Sequence, residues 1–382
     1  MKQDFYWYWF VNIPGIGSVT RKKMIERFGH PSHIYTAKEN ELRKLLNGKQ
    51  MTYLKKSLNK NDIEKSFRRL SDTGTQFIHW ESENYPRRLR ELYDPPYGFY
   101  VRGRLPEEKY PGLGMVGSRK ATDYGREMAK WFAGVLAGMG VQIISGLAMG
   151  IDSSSHRGAL QSGGYTAGIL GGGIDTVYPI ENYNLYREMY EKGGVLSEYN
   201  IGIPNRPGLF PARNRLISGL SDAIFVLEAG IKSGTFITVD QALEQGKEVF
   251  VLPGRATDSL SRGCNALIRQ GATLVQSPEE LLDYLGSKGM LRSKKSTLDI
   301  TESRPTTGEY QGKHFSEEEK CIWNLLDEKQ PVPFEILLES SGYTVAKLQN
   351  FLLKMELNGW IFQPAQNIYQ RKIKKITENF SC

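Results

Sequence analysis

Four short loops of glycine, serine and threonine, each directly behind an apolar run rich in small or β-branched residues, constrain this chain most. Gly112 to Gly117 reads as a buried strand and runs into Gly117-Ser118-Arg119. Val141 to Ser145 leads into Ser145-Gly146-Leu147-Ala148-Met149-Gly150-Ile151-Asp152, and Tyr165 to Leu170 into Gly171-Gly172-Gly173. Ala223 to Leu227 leads into Glu228-Ala229-Gly230-Ile231-Lys232-Ser233-Gly234-Thr235. Helical spacing covers Thr122 to Met139, Asp152 to Gln161 and Thr235 to Gln245, with further strands at Val195 to Ser197 and Glu248 to Leu252. This alternation predicts an α/β fold, a Rossmann-like parallel sheet with helices on both faces. Ligands of such sheets bind at the carboxyl edge of the strands, the edge these four loops form.

Small residues at that edge expose backbone N–H groups at helix starts, where anions bind. Ser118 and Thr235 add hydroxyl donors. Phe210-Pro211-Ala212-Arg213-Asn214-Arg215 lies between the third and fourth loops, and Arg119, Arg213 and Arg215 supply planar forks suited to phosphate. The expected phosphate cradle is Gly117, Ser118, Arg119, Ser145, Gly146, Gly171, Gly172, Gly173, Arg213, Asn214, Arg215, Ser233, Gly234 and Thr235. The competing reading is that the glycines merely permit tight turns.

Other chemistry is poorly supported. Gly112-Leu113-Gly114-Met115-Val116-Gly117 matches GxGxxG by its letters, but a dinucleotide fingerprint follows a strand and opens a helix, and here the motif is the strand. No nucleotide cofactor is expected. No GxxxxGK[ST] occurs, which disfavours a P-loop ATPase. Asp152 and His156 lie four apart on one helical face and form a candidate acid/base pair. A helix cap above a satisfied histidine is the favoured reading. The five histidines are scattered, so no metal site is expected. Glu198 and Glu228 follow strands, and their expected role is to pair with or order Arg213 or Arg215. No catalytic residue is assigned.

The flanks differ from the core. Residues 1–75 read as short helices, and Val11-Asn12-Ile13-Pro14-Gly15-Ile16-Gly17 resembles a helix–hairpin–helix turn, a candidate phosphate contact. Residues 76–286 hold the sheet, and 287–314 read as a linker. Residues 315–375 give three amphipathic segments and a hairpin, the order of a winged helix, and 376–382 a tail. The third helix of that unit offers only Lys347 and Lys354 to DNA, so a protein contact is equally supported. Residues 1–109 carry 21 Lys and Arg against 13 Asp and Glu, whereas 110–285 carry 15 against 17. The excess of base is N-terminal and favours a polyanion. Phosphate binding in the core must therefore rest on a few converging groups. No apolar run approaches the ~18 residues of a membrane span. Met1 to Phe10 lacks the layout of a secretory signal, and three distant cysteines with no CxxC pair fit a reducing cytoplasm.

Taken together, the four loops resemble those of the DNA-processing protein A (DprA/Smf) family. So do Leu170 to Asp175 with Tyr178-Pro179, Ser197-Glu198-Tyr199, Ile217 to Ser221 and Val251-Leu252-Pro253-Gly254. Upstream, Tyr85-Pro86, Pro95-Pro96 and Val101-Arg102-Gly103 are similar as well. The resemblance implies an extended Rossmann fold binding single-stranded DNA, a helical (HhH/SAM-like) unit before it and a winged helix after it. It also implies homodimerisation, loading of the RecA recombinase and protection of incoming DNA in natural transformation. Gly117, Ser118 and Arg119 then line the DNA phosphate pocket, and the Arg213-Asn214-Arg215 and Ser233-Gly234-Thr235 segments match loops at the same edge. Phe210 and Tyr124 are candidates for stacking a base, though either is equally a core residue. The rival is a nucleotide or phosphoribosyl hydrolase of the lysine-decarboxylase-like group, against which Ser233-Gly234-Thr235-Phe236-Ile237-Thr238 lacks the expected glutamate. A third reading is a passive scaffold joining partner proteins.

Overall fold

The first helix, α1 (Lys2–Val11), carries large apolar rings on every side, and a helix of that kind must be enclosed. Trp7, Tyr8, Trp9 and Phe10 are buried. Around α1 lie α2 (Ser18–Phe28), α3 (Pro31–Thr36), α4 (Glu39–Leu42), α5 (Gly48–Lys56) and α6 (Lys60–Asp72). The Asn12–Gly17 segment joins α1 to α2, turning at Gly15 with φ 69° and burying Ile13 and Ile16. The computed structural model describes residues 2–289, 317–326, 331–357, 360–365 and 368–371. Two compact units emerge, residues 1–295 and 296–382. The N-terminal helices belong to the first, because their core continues into Tyr100, Leu147, Leu170 and Tyr186 of the sheet layer.

Nine strands form the sheet: β1 (Gln76–His79), β2 (Gly98–Gly103), β3 (Gly112–Val116), β4 (Gln142–Ser145), β5 (Thr166–Ile169), β6 (Gly194–Ser197), β7 (Ala223–Val226), β8 (Glu248–Val251) and β9 (Thr273–Leu274). Their order is β1-β2-β6-β5-β4-β3-β7-β8-β9. From β6 to β9 all neighbours are parallel, as the alternation predicts. β1 and β2 extend this sheet in antiparallel register. The helices are α7 (Arg87–Arg90), α8 (Asp123–Gly138), α9 (Ile151–Gln161), α10 (Tyr183–Lys192), α11 (Leu209–Leu220), α12 (Thr235–Glu244), α13 (Arg262–Arg269) and α14 (Pro278–Ser287). One apolar layer joins α11, α12 and α13 to the sheet, the other α8 and α14.

The GxGxxG letters belong to β3, where two glycines let α11 and β7 approach. A side chain on Gly112 would lie 2.6 Å from the Leu220 carbonyl, and one on Gly114 would strike Ile224. The chain leaves β3 for β4 on one side, while β7 lies on the other. This reversal is a topological switch point, and the loops after its two strands flank a crevice.

The C-terminal unit contains α15 (Glu317–Leu325), β10 (Val332–Pro333), α16 (Phe334–Ser341), α17 (Val345–Leu357), β11 (Ile361–Ala365) and β12 (Ile368–Arg371). The short β10 completes a three-stranded sheet that the sequence reading held to two. Ile322, Leu337, Leu348, Leu352 and Ile361 form its core. Lys354, one of two DNA-contact candidates on α17, donates to Glu319 at 2.6 Å, and Lys347 lies over the Tyr343 ring. The expected linker beyond Gly289, the Gly359 end of the hairpin and the tail lie outside the described residues. Among the described residues, no cluster of metal-ligating side chains occurs and no helix is long and apolar enough to cross a membrane.

Asp152 and His156 do not act on one another. The Asp152 carboxylate accepts the Gly146 and Ala148 amides at 3.1 and 3.4 Å. Thr166 Oγ1 gives its proton to the Ile143 carbonyl, so it accepts from His156 Nδ1 at 2.6 Å. Burial first, then Arg213 and Arg157, pushes His156 down to about 3. The fold therefore holds the neutral ring, and its stability is full above pH 6.5 and declines as pH falls towards 3. The slope approaches about 1.4 kcal/mol per pH unit for one proton. Urea unfolding at pH 7, 6 and 5 is expected to show a shallower decline in His156→Gln than in the parent.

Candidate nucleic-acid interface

A cavity of about 620 Å³ opens at the switch point. Its walls come from Gly117 to Lys120 behind β3, from one face of α11, and from Ser233 to Thr235 at the start of α12. Ala148, Asp152 and Tyr178 close it.

The α11 wall follows from helical periodicity. Residues three, four and seven apart share a face, and Phe210, Arg213, Asn214 and Ile217 all line the cavity. Arg215 is two positions from Arg213, roughly 200° around the axis, and points elsewhere. Its Nη2 donates to both Glu198 oxygens at 2.7 Å, and its Nε pairs with Asp94 at 3.1 Å. The expected place of Arg215 in the cradle is thereby corrected, as is the expectation of a loop here. Glu198 does order Arg215.

Arg213 is 5% exposed. It donates Nη1 to the Gly146 carbonyl at 2.9 Å and Nε to Asn214 Oδ1 at 3.2 Å. Gly146 makes the room, since a side chain there would lie 2.6 Å from Nη2. Burial, opposed by nearby Asp152, lowers Arg213 to about 10, so it stays charged at neutral pH. Burial raises Asp152, and Arg213 with the two amides opposes that rise. Arg119, Lys120 and Arg213 thus meet a single carboxylate in this cavity.

The first and fourth loops hold themselves in shape with the amides expected to face an anion. Ser118 N donates to the Glu228 carbonyl at 2.7 Å, and Lys120 N to Ser118 Oγ at 3.1 Å. Ser233 N donates to the Gly230 carbonyl at 3.0 Å and Thr235 N to Ser233 Oγ at 3.2 Å. Ser233 Oγ in turn donates to Thr235 Oγ1 at 2.8 Å. Ser118 Oγ and Thr235 Oγ1 therefore accept within their loops and keep their own protons for another acceptor. Among the described residues Glu228 pairs with no arginine, contrary to expectation. Its carboxylate takes Thr122 N and Oγ1 at 2.9 and 2.5 Å, fixing the cap of α8 beside the first loop.

The other expected residues stand behind the wall. Ser145 is buried and donates to the Met115 carbonyl at 2.6 Å. Gly146 backs Arg213, and Gly171 and Gly172 make room for Phe210 and Asn205. Gly173 N donates to Ile203 O at 2.7 Å. None of these five lines the cavity, because Arg213 lies over Gly146 and residues between β6 and α11 cover the Gly171–Gly173 loop. Tyr124 is exposed on α8 and also outside the lining. Phe210 is in the cavity with the Arg119 guanidinium over its ring, 5.2 Å from the centroid, a cation–π contact. Sequence reading missed Lys120, signalled by its place after Arg119, and Tyr178, noted only within Tyr178-Pro179.

The profile of the family described as DNA recombination-mediator protein A matches residues 76–286. The chain belongs to the DprA/Smf family. The DprA winged helix domain matches residues 306–365. Protein Smf of Escherichia coli is 36% identical over 308 residues, covering 80% of each chain. The structure of DNA processing protein A from Streptococcus pneumoniae superposes with a TM-score of 0.65 at 31% identity, over 73% of this chain and 97% of that one. DNA processing protein A from Helicobacter pylori gives 0.51 at 30% identity, over 56% and 96% respectively. That structure concerns a single-stranded DNA binding mode.

In this DprA/Smf chain, Arg215→Ala strands Glu198 and Asp94 in a largely dry setting. Breaking a buried pair costs about 3–5 kcal/mol; partial exposure of Asp94 sets the expectation near about 3 kcal/mol. Urea denaturation measures the loss.

Proposed function

We propose that this chain binds single-stranded DNA, seating its phosphates in the switch-point cavity. The observation that carries this reading is convergence: Arg119, Lys120, Arg213 and the O–H groups of Ser118 and Thr235 all meet one cavity. Ser233, Gly234 and Asn214 complete the wall. Cations and donors of this kind track a backbone without reading bases. The relative from Helicobacter pylori, whose structure concerns single-strand binding, supports the same ligand. Membership of the family extends the reading to a homodimer that protects incoming DNA and loads it onto RecA in the cytoplasm.

Binding rather than catalysis is the proposed role. Asp152, the carboxylate of the cavity, is engaged by two amides and opposes Arg213. His156 is enclosed behind it. Release of free base from nucleoside monophosphates by the purified chain would favour the hydrolase reading instead.

Arg119→Ala is expected to weaken binding to all single-strand sequences alike. It should reduce the slope of log affinity against log salt by about 0.7, one phosphate contact on a single strand. Fluorescence anisotropy across a salt series measures both. Duplex DNA should bind less well to the full chain than single strands do. Unchanged affinity in Arg119→Ala contradicts the proposal.

A further inference from the structure

We infer, on the single-strand reading above, that Tyr178 is a stacking platform for an unpaired base, placed beside the phosphate cradle. Ile180 and Tyr183, close by in sequence, are exposed as well. Tyr178 is 49% exposed, yet it lines the cavity that holds Ser118, Arg119 and Arg213.

Its segment is tethered at two points, Tyr178 and Asn182. The Tyr186 hydroxyl donates to the Tyr178 carbonyl at 2.9 Å. Asn182 is buried and donates Nδ2 to the Leu147 carbonyl at 2.9 Å. Leu147 itself has φ 57°, in the left-handed region that a non-glycine residue rarely adopts, and the Asn182 contact engages its carbonyl. The segment is therefore fixed against the second loop while Tyr178, Ile180 and Tyr183 remain outside, the last two 68% and 50% exposed. Exposed apolar groups on an anchored backbone are presented at little ordering cost, the condition that favours affinity.

The neighbouring ring directs the base to Tyr178. Phe210 carries the Arg119 guanidinium on one side, and its ring edge lies where a side chain on Gly171 would be. Tyr178 lies 5.9 Å from Phe210, tilted by 38°. Arg119 and Tyr178 thus both lie beside the Phe210 ring, and Tyr178 keeps about half of its own surface open. Every base has a π face, so such a platform distinguishes an unpaired strand from a duplex without choosing a sequence. It also distinguishes a base-bearing strand from a bare sugar–phosphate chain, which the cradle alone does not.

The test compares oligothymidylate with an equally long strand of abasic sugars, using the full chain and Tyr178→Ala, Tyr178→Phe and Arg119→Ala variants. Tyr178→Ala is expected to bind oligothymidylate about tenfold more weakly while its abasic affinity and salt slope stay at parental values. Tyr178→Phe is expected to bind as the parent does. If Tyr178→Ala retains the parental preference for bases, or loses both strands equally, the platform is overturned. Loss in Arg119→Ala with no change in Tyr178→Ala overturns the platform alone. Failure of the parent to bind either strand, or an unchanged Arg119→Ala, overturns the phosphate reading beneath it.

Discussion

The geometry of α11 governs the rest of the site. A helix places residues two apart on opposing sides, so Arg213 and Arg215 serve two different surroundings. Arg213 faces the cavity and Arg215 the Glu198–Asp94 pair. Gln241 of α12 and Gln245 at its C-cap donate to the carbonyls of Pro211 and Arg215. The far end of α11 rests on the bare backbone of Gly112. With both sides held, the Phe210–Ile217 face has little freedom, and a phosphate arriving in the cavity need not order it. Preorganisation of this kind raises affinity by removing a cost rather than by adding a contact.

Much of the sheet was legible because its signals are local. β3, β4, β5, β7 and β8 coincide with their expected runs to within a residue or so at each end, as do α8, α9 and α12. β1 and β2 were not legible. They are separated by the proline-bearing Trp80–Tyr97 stretch, and β2 pairs with β6 some ninety residues onward, a relation no local pattern encodes. The helix α11 was hidden by Pro211, which suggests a loop. Proline is tolerated in a first helical turn, where its N–H has no intrahelical partner anyway. Reading 210, 213, 214 and 217 as one face would have separated Arg215 from the cradle at once.

The loops show a second limit. Glycine spacing located the right edge but left open which backbone donors remain available there. That depends on partners distant in sequence: the Glu228 carbonyl receives Ser118 N across the switch point, and Arg213 donates to Gly146 behind the cavity wall. Once those bonds form, an edge that looked rich in amides becomes one of hydroxyls and guanidinium groups. Glycine here serves close approach. At Gly117 a side chain would lie 2.6 Å from Ile151, so its absence is what lets the first loop sit against α9.

The electrostatics then follow from scale. The segment 110–285 carries slightly more acid than base, and no broad positive field draws a polyanion to it. Arg119, Lys120 and Arg213 against a single carboxylate make the cavity locally positive, and of the three only Arg213 is buried, where its charge acts most strongly. The N-terminal helices contribute in another way. Their aromatic core is continuous with the sheet layer, so the basic excess of residues 1–109 is fixed to the same compact unit as the cavity. On the proposed reading, long-range attraction and short-range capture are thereby divided between two parts of one unit. The attraction weakens with salt over a Debye length of about 8 Å, whereas the buried Arg213 is screened far less.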